Sequence, residues 1–256
     1  IIVTSQKRVK NLEEVPVSVA AMNEKAIEQT GLRELQEMDE YIPNLQMSKG
    51  SSYKTNITIR GVGSSSRNIG FDSRVGVYVD GVYMGQSPAT NQDILDVERI
   101  EVLRGPQGTL FGRNTTAGLI NVVTNKPVDE FQASVSADIG NYDTWNLEGM
   151  VNVPLAENVQ ARFAIRSENS DEGWQESISR GEDRGTVEKL GFRAALAIQP
   201  TDKLEIDLSY NGWINKSDTI AGQAIGLTPN TDPTFIVPGT NGPSTASGFN
   251  QPGLVD

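Results

Sequence analysis

The 256-residue sequence predicts an α+β domain over its first half, followed by antiparallel strands of the kind that build a membrane-spanning β-barrel. Three observations carry that prediction. Residues 97–126, VERIEVLRGPQGTLFGRNTTAGLINVVTNK, join two strand-like runs through closely spaced glycine turns. After Pro127 the hydropathy pattern changes to strict alternation and repeats five times. Charge divides at the same place: residues 1–127 carry 14 Lys and Arg against 14 Asp and Glu, whereas residues 128–256 carry 8 against 19 and hold the whole net charge of −11.

In the first half, Val15–Val19 reads as a short strand, and Asn23 can cap a helix that runs through Thr30 and ends at Gly31. A second helix is expected from Leu32 to Tyr41, stopping before Pro43. Asn56–Arg60 alternates as a strand into Gly61, and the polar loop Ser64–Ser73 follows. Val75–Val79 and Val82–Met84 flank Asp80-Gly81, a two-residue hairpin signal. In the glycine-rich block, Val97, Ile100, Val102 and Leu103 form an apolar strand, Gly105-Pro106 breaks it, Thr109–Phe111 makes a short knob, and Leu119–Val123 forms the second strand.

In the second half the apolar members of five strands share one parity each: residues 133–139, 145–153, 159–165, 190–198 and 204–210. None of these 22 positions is charged, while the intervening ones include Asp138, Glu148, Arg162, Arg166, Arg193, Glu205 and Asp207. A soluble β-sandwich alternates in the same way. Strand length, connection length and aromatic placement favour a membrane barrel instead. The strands approach the ~10 residues of a tilted crossing. Tight turns are expected at Asn141–Asp143, Pro154–Asn158 and Pro200–Lys203, against a long acidic loop from Glu168 to Glu188. Tyr142, Trp145, Tyr210 and Trp213 are expected to form an interfacial girdle. Five strands alone leave unpaired edges, which lipid does not tolerate, so the sequence reads as part of a larger barrel whose long external loop begins at Ser217.

Composition excludes several kinds of chemistry. With no Cys and no His there is no thiolate or imidazole metal site and no Ser-His-Asp triad, and neither a metal nor a cofactor is expected. The acidic balance argues against nucleic acid. Gly61-Val62-Gly63 and Gly108–Gly112 fail the spacing of phosphate-binding loops. The carboxylate pairs Asp93/Asp96 and Glu98/Glu101 are expected to be solvated, and no enzyme activity is expected. Arg60 and Arg104 each end a strand just before a glycine, as surface arginines or as buried ones that need carboxylate partners. Ile1–Ser5 is a β-prone run that can add to a partner's sheet edge, or is simply a first strand.

Taken together, these residues resemble a TonB-dependent outer-membrane receptor. Ile2–Arg8 resembles the tail of the energy-coupling box, Ile59-Arg60-Gly61 a motif of the plug, Val77–Val82 its central hairpin, and Glu98–Pro106 with Gly118–Thr124 its most distinctive block. The resemblance implies three regions: a box-like segment over residues 1–8, a plug domain over 9–127, and the first part of a 22-stranded barrel over 128–256. It implies Ile2, Val3, Thr4 and Ser5 as the TonB-binding residues, and Arg60 and Arg104 as a latch to barrel glutamates beyond Asp256. It also implies Arg67, Asn68, Tyr83, Met84 and Asn91, in apex loops Ser64–Ser73 and Met84–Gln92, as ligand contacts. Implied partners are TonB with its inner-membrane energising complex, outer-membrane lipid and lipopolysaccharide, and an external ligand. The implied location is the outer membrane of a Gram-negative bacterium. The implied function is active uptake, with a ferric siderophore the commonest cargo of the family; carbohydrates, cobalamin and aromatic compounds remain open, as does a non-transporting surface receptor or signal transducer. A soluble β-rich binding protein is the reading from outside the family.

Overall fold

The structure is a computed structural model, which describes residues 2–4, 10–15, 17–51, 54–63, 73–85, 94–177 and 182–218. The first half contains β1 (Ile2–Val3), β2 (Lys10–Asn11), β3 (Ser18–Asn23), α1 (Glu24–Thr30), a 3-10 helix at Leu35–Glu40, β4 (Leu45–Ser51), β5 (Lys54–Ile59) and β6 (Val62–Gly63). It continues with β7 (Val75–Val79), β8 (Val82–Tyr83), β9 (Val97–Arg104), α2 (Gly108–Phe111) and β10 (Gly118–Thr124). The second half contains β11 (Gln132–Gly140), β12 (Thr144–Ala156), β13 (Val159–Ser170), β14 (Gln175–Ser177), β15 (Glu182–Arg184), β16 (Val187–Thr201) and β17 (Leu204–Asn215). By contacts the chain divides into two compact units, one of residues 1–135, 148–166 and 191–213, the other of residues 136–147, 167–190 and 214–256.

The first unit is organised by a mixed sheet in the order β3-β9-β10-β7-β8, with β9 and β10 at its centre. The block Val97–Lys126 therefore supplies the two strands on which the others are built. Ile100, Val102 and Ile120 are fully buried on one face, against Leu35, Met38, Ile57 and Ile59. Each such side chain contributes about 1.5–3 kcal/mol when removed from water. On the other face Leu103 and Leu119 pack with Tyr78 and Phe111. Helix α1 is capped as expected: the Asn23 side chain accepts from the Ala26 N–H at 3.0 Å, and Gly31 closes the helix with φ of 67°. The β7–β8 hairpin turns at Asp80 and Gly81 with φ of 48° and 81°, both left-handed, as a type I′ turn requires.

Several boundaries differ from the sequence reading. The first strand of the central sheet is Ser18–Asn23 rather than 15–19, because its partners on β9 are Arg99–Arg104 and Pro16 has no N–H to give a ladder. The expected second helix is the shorter 3-10 helix, which places Leu35 and Met38 three residues apart on one buried ridge. Its start is fixed by Glu34 and Glu37 in a capping box, with Arg33 and Glu34 N–H groups donating to Glu37. The loop 64–72 lies outside the described residues. Strand β12 runs through Pro154 to Ala156 and β16 through Pro200 to Thr201, so each tight turn is the two residues that follow. Proline's φ suits an extended strand and forfeits only one donor.

Strands β11, β12, β13, β16 and β17 form one sheet in chain order, interrupted only by the small β14–β15 hairpin. In the second unit, Tyr142 and Asp143 turn with φ of 60° and 47°, and the Tyr142 carbonyl accepts from the Ser170 hydroxyl and the Glu172 N–H. The expected loop Glu168–Glu188 is shorter than read, since β13 extends to Ser170 and β16 starts at Val187. Gly185, with φ of 87°, leaves room for the Trp174 indole, which a Cβ would meet at 2.4 Å.

At Gly118, φ is 150° and a Cβ would lie 2.2 Å from the Leu103 carbonyl oxygen, a backbone atom that cannot yield. At Gly31 a Cβ would meet nothing within 4 Å. Gly118→Ala should therefore destabilise the central sheet by more than about 3 kcal/mol, against about 1–2 kcal/mol for Gly31→Ala, as read by denaturant unfolding of the full chain. Equal losses would show that backbone strain alone, and not the close approach of β9, governs position 118.

Candidate functional site

The amino-terminal run is docked on the central sheet. β1 pairs antiparallel with β2, Ile2 opposite Asn11 and Val3 opposite Lys10, and Val3 is fully buried. Period 2 along β9 puts Arg99, Glu101 and Leu103 on one face, and the pairing with β10 sets Asn121 opposite Glu101. Glu101 Oε1 accepts the Thr4 N–H at 2.7 Å and the Thr4 hydroxyl at 3.0 Å. Arg99 Nε donates to the same oxygen at 2.8 Å, while Arg99 Nη2 and Asn121 Nδ2 donate to Thr4 Oγ1 at 3.2 and 3.4 Å. Glu101 is 0% exposed, so its charge is tolerable only because Arg99 and these donors surround it. Ser5 lies outside the described residues.

Arg60 and Arg104 leave their strands just before positive-φ glycines, as the sequence indicates. Arg60 has φ of 52°, is exposed, and donates from Nη2 to Ser18 Oγ at 3.1 Å. Arg104 is half-buried, and its Nε is buried without a hydrogen-bond partner among the described residues. Neither arginine meets a carboxylate among those residues. Tyr83 stacks at a tilt on Tyr78, centroids 5.4 Å apart, and its hydroxyl accepts from Asn114 Nδ2 at 2.9 Å. Burial, and secondarily the Tyr83 hydroxyl, pushes the Tyr78 pKa upward, so Tyr78 stays a donor to the Phe111 carbonyl at 2.6 Å. Met84 follows Tyr83 and packs against the main core. Arg67, Asn68 and Asn91 lie outside the described residues.

The sheet of long strands has its polarity reversed relative to a soluble protein. In the inner strands β12, β13 and β16 the uncharged parity is the more exposed one: Leu147 is 48% exposed, Phe163 43% and Ile165 40%. The other parity holds the buried positions, and most of these are polar: Asn152 at 0%, Arg193 at 4% and Arg162 at 6%, beside the small Ala164 and Ala195. Asn152 donates from Nδ2 to the carbonyls of Val128 and Glu130 at 2.8 and 2.6 Å and accepts the Val128 N–H at 3.0 Å, clamping the link into β11. Arg162 and Arg193 both reach the Asp96 carboxylate, at 2.6 and 3.0 Å. Lys126 pairs with Asp207 and Glu205, and the hydrogen bond to Asp207 is the main cause that raises its pKa. Trp213 departs from the expected girdle: three residues after Tyr210 it falls on the opposite face, where it lines a cavity of about 70 Å³ with Leu35, Val77 and Arg193.

The family model described as TonB-dependent receptor plug domain matches residues 11–119. Over those residues the chain is similar to TonB-dependent receptors. It is 27% identical over 190 residues to the pesticin receptor of Yersinia enterocolitica, covering 73% of this chain and 28% of that protein. It superposes on the ferric yersiniabactin uptake receptor FyuA of Yersinia pestis with a TM-score of 0.69 at 24% identity, over 77% of this chain and 31% of that one. The pyoverdine outer membrane receptor FpvA of Pseudomonas aeruginosa, bound to pyoverdine, gives a TM-score of 0.67 at 20% identity, over 84% of this chain and 30% of that one. The chain thus spans under a third of the length of these relatives. Its fold is a plug domain followed by antiparallel strands that match those of the barrel receptors. No helix among the described residues is long and apolar enough to cross a membrane.

Two expectations about carboxylates are overturned. Asp96 and Glu101, read from spacing as solvated, have side chains only 3% and 0% exposed. Most of their partners come from elsewhere in the chain, Arg162 and Arg193 for one and Thr4 with Asn121, beside the local Arg99, for the other. A signal was present in the strands: Arg162 and Arg193 are cations in the middle of otherwise uncharged runs, and such positions in a barrel wall call for an acid opposite.

Glu101→Ala removes the acceptor for the Thr4 N–H and leaves Arg99 without its buried partner, a loss of about 1–3 kcal/mol to the docked run. Limited trypsin digestion of the protein should then cut after Lys7, Arg8 or Lys10 several-fold faster. Cutting at the wild-type rate would show that Glu101 does not hold the run in place.

Proposed function

We propose that the chain is the plug and first barrel strands of an active-transport receptor that binds an external ferric siderophore and imports it with energy supplied through TonB. The single observation that carries this reading is an α+β domain with its amino-terminal β-strand docked on its own sheet, followed in the chain by long antiparallel strands whose large apolar side chains are exposed and whose buried side chains are mostly polar. Relatives described as a ferric yersiniabactin uptake receptor and a pyoverdine receptor support the cargo class. The receptor carries out no chemistry of its own.

In this reading Ile2, Val3, Thr4 and Ser5 bind TonB by strand addition, which uses main-chain N–H and C=O groups rather than particular side chains. The same run is paired with β2 and hydrogen-bonded to Glu101, so it must leave that dock before its edge can be shared. Arg60 and Arg104 serve as a latch toward barrel glutamates beyond Asp256, and the unpartnered buried Nε of Arg104 supports that role. Arg67, Asn68, Tyr83, Met84 and Asn91 contact the ligand. The box is residues 1–8, the plug 9–127 and the barrel segment 128–256.

Val3→Pro in the full-length receptor removes a main-chain donor from the added strand. In a strain lacking the native copy, uptake of an iron-55 siderophore panel should fall to background while binding of the same complexes to whole cells persists. Uptake that survives the proline would remove the box assignment. Growth on sugars but on no iron chelate would replace the cargo class.

A further inference from the structure

Asp96 stands where four chain segments meet. It precedes β9 with φ of 53°; its carbonyl accepts the Asn125 N–H at 2.9 Å and its Oδ1 accepts Asn125 Nδ2 at 3.1 Å, joining the start of β9 to the end of β10. From β13, Arg162 Nε donates to both carboxylate oxygens at 2.9 Å and Nη2 to Oδ1 at 2.6 Å. From β16, Arg193 Nη1 donates to Oδ2 at 3.0 Å and Nη2 to Thr124 Oγ1 at 2.5 Å. The Thr124 hydroxyl and N–H in turn donate to Asp80 at the hairpin tip, at 2.7 and 2.9 Å. The two arginine side chains are 5% exposed and the carboxylate 3%.

We propose that Asp96 is the positioning residue that seats the plug against the barrel wall and keeps the lumen closed, gripped by Arg162 and Arg193. This rests on the receptor reading above, and it is separate from the latch assigned to Arg60 and Arg104. The physical argument is one of charge and shape. Two guanidinium groups buried in the wall share a single carboxylate, so each depends on Asp96 for its counter-charge. The fork of Arg162 takes both oxygens, which fixes orientation as well as distance. Asn125 and the Thr124–Asp80 bonds carry that fixed point into β9, β10 and the β7–β8 hairpin. The wall thereby holds the two strands on which the plug's sheet is built. Asp80, the neighbouring plug carboxylate, is taken up by Thr124.

A passive leak tests the proposal without ligand or TonB. The full-length receptor is expressed in a strain lacking its own copy, and sensitivity to vancomycin, a glycopeptide too large for ordinary porins, is measured at equal amounts of receptor in the outer membrane. Asp96→Ala should lower the inhibitory concentration by about four-fold or more, as should the pair Arg162→Ala with Arg193→Ala. The triple variant should leak no more than Asp96→Ala, since the three groups act as one unit. Wild-type sensitivity in Asp96→Ala, or a triple variant whose effect is the product of the separate ones, would overturn the proposal. If Asp96→Ala does not reach the outer membrane, Asp96→Asn, close in shape but uncharged, is put through the same measurement: a four-fold leak supports the anchor and wild-type sensitivity overturns it. Because the leak needs no energy coupling, it separates a failure of this anchor from a failure of the uptake reading.

Discussion

The constraint on which the rest depends is that strands in lipid must satisfy every backbone polar group by pairing and must turn apolar side chains outward. In β12, β13 and β16 the usual distribution is reversed: Leu147, Phe163 and Ile165 are exposed while Asn152, Arg162 and Arg193 are buried. A wall that is polar on its inner side can hold a folded domain by directed hydrogen bonds and ion pairs. Arg162 and Arg193 do so through Asp96, while Asn152 fixes the main chain of residues 128 and 130 at the entry to β11. Such contacts specify orientation more than they add stability, because desolvation of the charges offsets much of their attraction.

Inside the plug the same economy of charge recurs on a different scale. Strand β9 carries Ile100 and Val102 on its core face and Arg99 and Glu101 on the other, so one strand both builds the core and receives the amino-terminal run. Glu101 is fully buried only while Thr4, Arg99 and Asn121 surround it. Departure of the run would leave that carboxylate with fewer donors, which links the docked state of residues 2–4 to the packing of the central sheet.

Much of the architecture was legible in the residues. Asp80-Gly81, Asn23 and Gly31 announced a hairpin and a capped helix through local chemistry that tertiary packing did not override. The alternation in the second half announced five strands and which parity would carry the apolar side chains. The misses have two causes. The offset of β3 is decided by β9, a partner far away in sequence, whereas the start of the 3-10 helix and the face of Trp213 follow from local features, the Glu34–Glu37 capping box and the odd spacing from Tyr210.

By itself the sequence determined the change to alternating strands after Pro127, the hydropathy of each face and the motifs that resemble a TonB-dependent receptor, because periodicity, turn chemistry and strand polarity are properties of neighbouring residues. Only the tertiary structure decided which charges are buried and with whom. Asp96 and Glu101 look like ordinary surface acids until β13, β16 and the amino-terminal run are brought against them across 66, 97 and 97 positions of chain. Pairing over such separations is fixed by strand register and by the enclosure of the plug sheet, and neither is written in any local window.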